Sequence, residues 1–231
     1  MAQEVERRIR AAIGAEGPIT FERFMREALY GAGGYYERHP VGHDRGFVTA
    51  PHVHPVFADL VRFALLDLHD VIGRPEPLRL VELGAGDGTF AEQLLTGLRE
   101  VDRIAVDYTG VDISPGARAD LHGRGLSAVA DLDDLAPGDP ACLLANELLD
   151  NVPMRWLRGG VDGTFEMRID HDGDRFIAIA SVCEPEIAAL APALADGEDA
   201  FVSPATRDLV ASIGRWLHRG RVLLIYYGWE A

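Results

Sequence analysis

The sequence predicts an α/β fold built on an open parallel sheet. From Leu78 onward, apolar strand-like runs alternate with helix-like runs, which is the order typical of a parallel sheet with right-handed crossovers. The run Ala141–Ala145 is apolar throughout, as expected of a central strand that is buried on both faces. A glycine-rich turn joins the first strand of this region to its helix, which is typical of ligand-binding α/β sheets.

A helical section precedes the sheet. Pro75 and Pro77 interrupt the pattern and mark the boundary. We therefore predict a helical N-terminal section over residues 1–74 and a sheet domain over 75–231, with an insertion at about 154–200.

Apolar spacing and capping residues define the elements. The front section should hold helices over 3–13, from the N-cap Thr20 to about residue 29, and over 56–72. The long segment 31–55 between them contains aromatic residues, so we predict an ordered loop that covers a site. Strands are expected at 78–83, 105–111, 126–130, 141–145 and 221–227, and helices at 89–99, 115–122, 185–194 and 204–218, the last with Ser203 as its N-cap. Asp172-Gly173 between two apolar runs predicts a β-hairpin over 165–181.

Composition limits the class of protein. The chain has 231 residues and a formal net charge of −15, which argues against broad contact with nucleic acid phosphates. An acidic surface favours solubility, and it also attracts cationic partners. No apolar run is long enough to cross a bilayer, and the first ten residues lack an apolar signal core. We therefore expect a cytoplasmic protein without membrane insertion; the sequence carries no signal for an oligomeric state.

The glycine-rich turn Glu82-Leu83-Gly84-Ala85-Gly86-Asp87-Gly88 is the leading candidate for a cofactor site. Glycine tolerates positive φ and lets a ligand approach the main chain closely. Tight turns and helix packing also need glycine, so the turn alone does not settle the question. The predicted cofactor contacts here are Glu82, Gly84, Ala85, Gly86 and Gly88.

Polar residues follow the other predicted strands. Because the carboxyl ends of parallel strands share one edge of a sheet, these residues should converge on the glycine turn. Asp112, with Ile113 beside it, is placed to bind ribose hydroxyls; a solvated turn acid is the alternative. Asp131 and Leu132 would lie at the adenine end, although the acids after them also fit a solvated run. Asn146-Glu147 ends the fourth strand.

The acids around the turn discriminate between cofactors. A dinucleotide places a pyrophosphate at the helix N-terminus, where Glu82 and Asp87 would repel it. The same acids suit a cofactor with an amino group and a sulfonium cation. The sequence therefore favours S-adenosyl-L-methionine over a nicotinamide cofactor.

Four segments together carry a resemblance to a known family. Gly34-Tyr35-Tyr36, Phe47-Val48-Thr49-Ala50-Pro51, the glycine turn and Asn146-Glu147-Leu148-Leu149-Asp150-Asn151-Val152-Pro153 resemble the MidA-like family of class I S-adenosyl-L-methionine-dependent methyltransferases. The resemblance implies a Rossmann-like sheet, here expected to lack its last two strands. His52 and His54 stand where the family usually has Glu and Ser.

The resemblance also implies an activity, namely methylation of an arginine guanidinium nitrogen in a protein substrate. Glu147, Asn146 and Asp150 are then the expected catalytic residues. Carboxylates pair well with a guanidinium, and the Asn146 amide oxygen would orient the nucleophile and also contact the cofactor. For Asp150, a helix N-cap or turn role is the alternative.

Two other functions stay open. A non-catalytic S-adenosyl-L-methionine-binding protein would use the front section and the acidic surface to hold a partner during assembly. A nicotinamide-dependent oxidoreductase is disfavoured by Glu82 and Asp87. His39, His43, His52 and His54 have no accompanying cysteine or carboxylate pattern, so we predict no metal site.

Overall fold

The structure, a computed structural model, describes residues 2–37, 49–138 and 140–226. The α-helices are α1 (Ala2–Glu16), α2 (Phe21–Tyr30), α3 (Ala50–Val53), α4 (Val56–Val71), α5 (Thr89–Thr96), α6 (Pro115–Gly123), α7 (Pro185–Ala188) and α8 (Pro204–Trp216). The strands are β1 (Ile19–Thr20), β2 (Leu78–Leu83), β3 (Val106–Val111), β4 (Ser127–Val129), β5 (Ala141–Asn146), β6 (Arg155–Gly160), β7 (Gly163–His171), β8 (Phe176–Val182), β9 (Asp199–Val202) and β10 (Gly220–Ile225). A π-helical turn at Gly97–Val101 follows α5, and 3-10 turns span Leu132–Asp134 and Leu149–Asn151.

The chain forms two compact units that differ from the predicted segments 1–74 and 75–231. One contains residues 1–37 and 151–208, and the other contains 38–150 and 209–231. The first helices are grouped with the later antiparallel strands because β1 pairs with β7 and α1 and α2 pack on that sheet.

The second unit, residues 38–150 and 209–231, is built on a parallel sheet with strand order β10-β5-β2-β3-β4. Successive side chains of β2 point to opposite faces: Leu80 belongs to the core beneath α4, α5 and α6, and Val81 to the core beneath the second half of α8. Both faces are covered, which explains why β5 is apolar from Ala141 to Ala145. The predicted α/β fold with a parallel sheet is confirmed.

The first unit, residues 1–37 and 151–208, contains an antiparallel sheet with strand order β1-β7-β6-β9, and β8 pairs with β7. The predicted hairpin is confirmed as β7 and β8, with Gly173 at φ 102° in its turn. β1, β6 and β9 were not predicted. β6 reads Arg-Trp-Leu-Arg-Gly-Gly, and its Gly159 is needed because a Cβ there would lie 2.0 Å from the Ala195 carbonyl oxygen.

One predicted helix is largely wrong. The sequence placed it at 185–194, whereas α7 ends at Ala188. Pro192 explains the difference, because a proline disfavours helical conformation in the residue before it and removes a backbone donor.

Helix starts were better determined by the sequence. The Thr20 side chain accepts a hydrogen bond from the Arg23 N–H at 3.2 Å and caps α2 as predicted. At α8, the Ser203 hydroxyl oxygen accepts a hydrogen bond from the Thr206 N–H at 3.0 Å. These local bonds satisfy N–H groups that have no partner within the helix.

Candidate functional site

The carboxyl ends of four strands meet at one edge of the parallel sheet. Leu83, the last residue of β2, is in register with Val111 of β3 and Ala145 of β5. Val111 is in turn in register with Val129, the last residue of β4. The residues that follow these strands are thereby brought together, as the sequence predicted.

The glycine turn after β2 adopts a backbone that requires glycine. Gly84, Gly86 and Gly88 have φ values of 69°, 63° and 80°. The Gly84 N–H donates to the Val111 carbonyl oxygen at 2.8 Å, and the Ala85 N–H donates to the same oxygen at 3.4 Å. The turn is therefore anchored on the neighbouring strand β3.

Side chains occupy the space beside two of these glycines. A Cβ on Gly84 would lie 3.0 Å from Leu148 Cδ1, and one on Gly88 would lie 2.9 Å from Leu121 Cδ2. The close packing at Gly84 joins the glycine turn to the segment that follows β5. The two segments that the sequence singled out are thus in direct contact within this unit.

Asp112, predicted to bind ribose, also holds the glycine turn. Its Oδ2 accepts a hydrogen bond from the Gly86 N–H at 3.0 Å, and its Oδ1 accepts one from the Ser114 N–H at 2.8 Å. These two bonds hold the Asp112 carboxylate between the glycine turn and the start of α6. Its neighbour Ile113 has 63% of its surface exposed, so its side chain is available to a ligand.

Asp131 and Leu132 have structural roles that the sequence did not reveal. The Asp131 side chain accepts a hydrogen bond from the Asp133 N–H at 3.0 Å and caps a 3-10 turn. Leu132 is only 2% exposed and packs in the core. The Leu132 side chain is therefore not open to a ligand.

Glu82 differs from the prediction in its charge. It is buried within β2, and Tyr108 donates a hydrogen bond from its hydroxyl to Glu82 Oε2 at 2.7 Å. Burial raises the pKa of Glu82 to about 8, the Tyr108 hydrogen bond opposes the shift, and Asp112 and Asp87 add to it. Glu82 is therefore mainly protonated at pH 7, and the negative charge beside the turn comes from Asp87 and Asp112.

Asn146 ends β5 and Glu147 follows it, between β10 and β2 at the site edge. Asn146 is in register with Ile225 of β10, and the Glu147 N–H donates to the Ile225 carbonyl oxygen at 2.8 Å. Glu147 has a φ of 54°, in the left-handed region that residues other than glycine rarely adopt. Such backbone strain is found preferentially at functional sites.

Glu147 and Asp150 interact electrostatically. Burial raises the pKa of Glu147, and the negative charge of Asp150 raises it further. Asp150 lies in the 3-10 turn Leu149–Asn151. The expected catalytic carboxylates are thus close enough to influence each other, and Glu147 is a stronger base than a solvated carboxylate.

The Gly-Tyr-Tyr segment contacts the end of the Asn146–Pro153 segment. The Tyr30 hydroxyl donates to the Asn151 carbonyl oxygen at 2.7 Å, and the Tyr36 hydroxyl donates to Asn151 Oδ1 at 2.8 Å. The Tyr30 and Tyr36 rings stack with centroids 5.5 Å apart. Two motifs more than a hundred residues apart therefore meet at Asn151, within the unit of residues 1–37 and 151–208.

Sequence reasoning missed several residues of this region. Tyr108 binds Glu82 across two neighbouring strands, and Arg118 donates to the carbonyl oxygens of Asp112 and Ile113 at 2.6 and 2.9 Å. No local pattern distinguishes these two residues. His52, considered in the sequence as a metal ligand and noted as a departure from the family pattern, lies 3.3 Å from both carboxylate oxygens of Asp87.

Over residues 2–37, 49–138 and 140–226, no cluster of three or more His, Cys, Asp or Glu side chains is arranged to hold a metal ion. His39 and His43, which entered the metal hypothesis, lie outside the described residues, as do Phe47 and Val48 of the loop. In the described part of the chain, no helix is both long and apolar enough to span a membrane.

The arrangement fits a nucleoside cofactor with a cationic end. The glycine turn has positive φ at Gly84, Gly86 and Gly88, the Asp112 carboxylate follows the second strand, and Asp87 supplies negative charge within the turn. Three features occur together on this parallel sheet: the glycine turn after β2, an acid after β3 and Asn-Glu at the end of β5. This combination defines the class of S-adenosyl-L-methionine-dependent methyltransferases.

Within this class, the chain belongs to the MidA-like family. Residues 62–231 match a family model described as a putative S-adenosyl-L-methionine-dependent methyltransferase. The cofactor of this family is S-adenosyl-L-methionine, as the sequence predicted.

Curated relatives extend the comparison. The chain is 30% identical over 192 residues to a protein named mitochondrial protein arginine methyltransferase NDUFAF7 from Xenopus tropicalis, covering 69% of this chain and 44% of the relative. It is 36% identical over 112 residues to the Drosophila melanogaster homologue of that protein, covering 47% of this chain and 26% of the relative. The chain thus spans less than half the length of these relatives.

Two solved structures from Burkholderia thailandensis share the fold. One, described as a likely methyl transferase bound to S-adenosyl-homocysteine, is 28% identical with a TM-score of 0.84, and the match covers 99% of this chain and 63% of that one. A native structure of the same superfamily gives 27% identity and a TM-score of 0.82, covering 100% of this chain and 62% of that one.

Proposed function

We propose that this protein binds S-adenosyl-L-methionine and transfers its methyl group to an arginine guanidinium nitrogen of a protein substrate. The carboxylate pair Glu147 and Asp150 carries the proposal, since it follows the central strand beside the glycine turn and Glu147 has a strained backbone. The printed name of the arginine methyltransferase relatives supports the choice of acceptor. The cytoplasmic location that we expect from the sequence stays a prediction.

The residues of the strand-end edge would hold the cofactor. The main chain of Gly84–Gly88 would receive its methionine part, Asp112 its ribose hydroxyls, and Ile113 one face of its base. Asn146, at the end of β5, would contact the amino acid end. When bound, S-adenosyl-L-methionine supplies an electrophilic methyl group on a sulfonium centre.

Glu147 and Asp150 would bind and deprotonate the acceptor. A guanidinium remains protonated in proteins and offers five N–H donors in a planar fork, which two carboxylates satisfy well. The attacking nitrogen would form a bond to the methyl carbon as the methyl–sulfur bond breaks and S-adenosylhomocysteine leaves, and Glu147 would accept the proton that the nitrogen loses. The raised pKa of Glu147 favours this transfer, because a more basic carboxylate holds the proton better. Asn146 would orient the nitrogen through its amide oxygen.

Glu147→Gln tests this assignment. Gln keeps the size and a hydrogen-bonding oxygen but cannot accept the proton, so we expect methyl transfer to arginine-containing peptides to fall by at least about a hundredfold. Affinity for S-adenosylhomocysteine, measured by titration calorimetry, should stay within about threefold of wild type. Glu100→Gln, at an exposed position outside the site, is the matched control and should leave both quantities unchanged.

Several results would contradict the proposal. Unchanged turnover in Glu147→Gln would remove Glu147 from catalysis, and methylation of lysine but not arginine peptides would refute the acceptor. Binding of S-adenosylhomocysteine with no methyl transfer to any peptide would favour the non-catalytic assembly protein. Thermal stabilisation by NAD but not by S-adenosylhomocysteine would favour the oxidoreductase.

A further inference from the structure

A short helix places one histidine against the glycine turn. Thr49 precedes α3, and the N–H of His52 donates to the Thr49 carbonyl oxygen at 2.9 Å. The Thr49 Oγ1 also lies 2.8 Å from His52 Nδ1. Two contacts with one residue therefore fix both the main chain and the ring orientation of His52.

The other ring nitrogen faces the acid of the turn. His52 Nε2 lies 3.3 Å from both Oδ1 and Oδ2 of Asp87, and the His52 side chain is only 7% exposed. An ionised carboxylate can only accept hydrogen bonds, so Nε2 carries the proton and donates it to Asp87. With the proton on Nε2, Nδ1 accepts a hydrogen bond from the Thr49 hydroxyl.

Asp87 is ionised and held by several donors. Its burial acts to raise its pKa, but hydrogen bonds from the Thr89 N–H, the Thr89 hydroxyl and His52 outweigh burial and lower the pKa. The Thr89 N–H lies 3.0 Å from Oδ1 and the Thr89 hydroxyl 2.8 Å from Oδ2. Arg124, which also pairs with the exposed Glu92, lies 3.8 Å from Asp87 Oδ2.

The position of Asp87 decides the shape of the turn around it. Its neighbours Gly86 and Gly88 both have positive φ. Glycine can adopt many backbone conformations, so these two residues do not by themselves hold the turn in one shape. A second bond, from Gln93 Nε2 to the Pro51 carbonyl oxygen at 3.1 Å, fastens α3 to α5 on the same side. The glycine turn is thus braced by Asp112 from β3 and by His52 from α3.

We propose that His52 is a positioning residue for the cofactor turn: by donating a hydrogen bond to Asp87 it holds residues 86–88 in the conformation that receives S-adenosyl-L-methionine. This inference rests on the proposed function for its ligand. Its physical content is preorganisation, because a turn that is already held in its binding shape loses less conformational entropy when the ligand binds.

Three substitutions at one position separate positioning from simple packing. His52→Gln keeps an N–H donor, His52→Leu keeps bulk without a donor, and His52→Glu sets a second carboxylate against Asp87. We expect the affinity of His52→Gln for S-adenosylhomocysteine to stay within about threefold of wild type. His52→Leu should lose about tenfold in affinity, and His52→Glu should lose more. Adding Asp87→Asn to His52→Glu should cost less affinity than adding Asp87→Asn to wild type, because in the double variant it also removes the repulsion between the two carboxylates. His122→Gln, at an exposed position on α6, should bind like wild type.

The outcomes are decisive in both directions. Wild-type affinity in folded His52→Leu and His52→Glu proteins would overturn the proposal. Equal losses of affinity in His52→Gln and His52→Leu would also overturn it. If wild type itself fails to bind S-adenosylhomocysteine, the proposed function fails, and amide hydrogen exchange of residues 86–89 then decides the role of His52. Faster amide exchange of these residues in His52→Leu than in His52→Gln supports the proposal that His52 holds the turn, and equal exchange rates refute it.

Discussion

Glu82 shows how burial changes the meaning of a carboxylate in a sequence. In the linear pattern it is an acid beside the glycine turn and counts as a negative charge. In the fold it is 3% exposed, accepts a hydrogen bond from Tyr108, and has a pKa of about 8. Burial favours the neutral carboxyl group over the ionised carboxylate, because a buried charge without a counter-ion is costly. The charge argument for a cationic cofactor therefore rests on Asp87 and Asp112.

The raised pKa of Glu82 predicts a pH dependence of stability. The folded-state pKa of about 8 exceeds the ordinary value of 4.5 expected in the unfolded chain. The stabilising contribution is thus complete below pH 4.5 and is lost as the pH rises through 8. Gln cannot ionise, so Glu82→Gln should lose less unfolding free energy over this range, by a few kcal/mol at about 1.4 kcal/mol per pKa unit.

Urea unfolding at pH 5, 7 and 9 measures this difference between wild type and Glu82→Gln. All other titrating groups are shared by the two proteins and cancel in the comparison. Glu100→Gln, at an exposed position, should follow the wild-type curve. Parallel pH profiles for wild type and Glu82→Gln would show that Glu82 titrates normally in the folded protein.

At the scale of elements, the glycine turn and the segment after β5 form one packed unit. Leu148 lies against Gly84, and Asp112 from the end of β3 accepts a hydrogen bond from Gly86. The sequence predicted that these strand ends converge, because alternating strands and helices favour a parallel sheet, and the carboxyl ends of parallel strands share one edge. It gave no signal for the Leu148 contact, which depends on the path of the chain after the strand.

Gly84→Ala tests this packing. Ala at a φ of 69° is strained, and its Cβ would lie 3.0 Å from Leu148 Cδ1. We expect the free energy of unfolding to fall by about 1 to 3 kcal/mol and affinity for S-adenosylhomocysteine to fall with it. Gly123→Ala is a suitable control, because this helical glycine has open space around its Cβ position.

The double variant Gly84→Ala/Leu148→Ala separates the two causes. Removing the Leu148 side chain relieves the steric conflict but leaves the backbone strain, so affinity should recover in part. Urea unfolding and calorimetric titration measure both effects. Wild-type behaviour of Gly84→Ala would show that Leu148 and the turn adjust freely, contrary to a preformed cradle.

At the scale of the whole molecule, the dominant property is the net charge of −15. Self-repulsion of like charges opposes the compact state, and salt screens it with a Debye length of about 10 Å at 0.1 M. Salt also weakens exposed ion pairs such as Arg7–Glu4 and Arg74–Asp70, but pairs of this kind contribute little. Repulsion should therefore dominate the response to salt.

We expect the free energy of unfolding to rise by about 1 kcal/mol between 20 and 300 mM NaCl. Urea unfolding monitored by circular dichroism measures the change, and equal ionic strengths of NaCl and KCl should agree if screening is the cause. A fall in stability with added salt would mean that the ion pairs outweigh the net charge.

The sequence by itself determined the α/β class, the five strands of the parallel sheet, the caps at Thr20 and Ser203, and the family with its cofactor. These features depend on local periodicity, on capping residues and on short motifs, so neighbouring residues carry the information. The bounds of the two units and the strands β1, β6 and β9 were decided only by the tertiary structure. Residues far apart in the chain pair there, and no local pattern encodes their partners.

The same division holds at the candidate site. The motif residues Gly84, Asp112, Asn146 and Glu147 were named from the sequence and lie at one edge of the sheet. Tertiary structure alone decided that burial raises the pKa of Glu82, that Leu132 belongs to the core, and that His52 faces Asp87. The reason is physical: protonation and contact depend on desolvation and on neighbours brought from elsewhere in the chain, which exist only once the chain has folded.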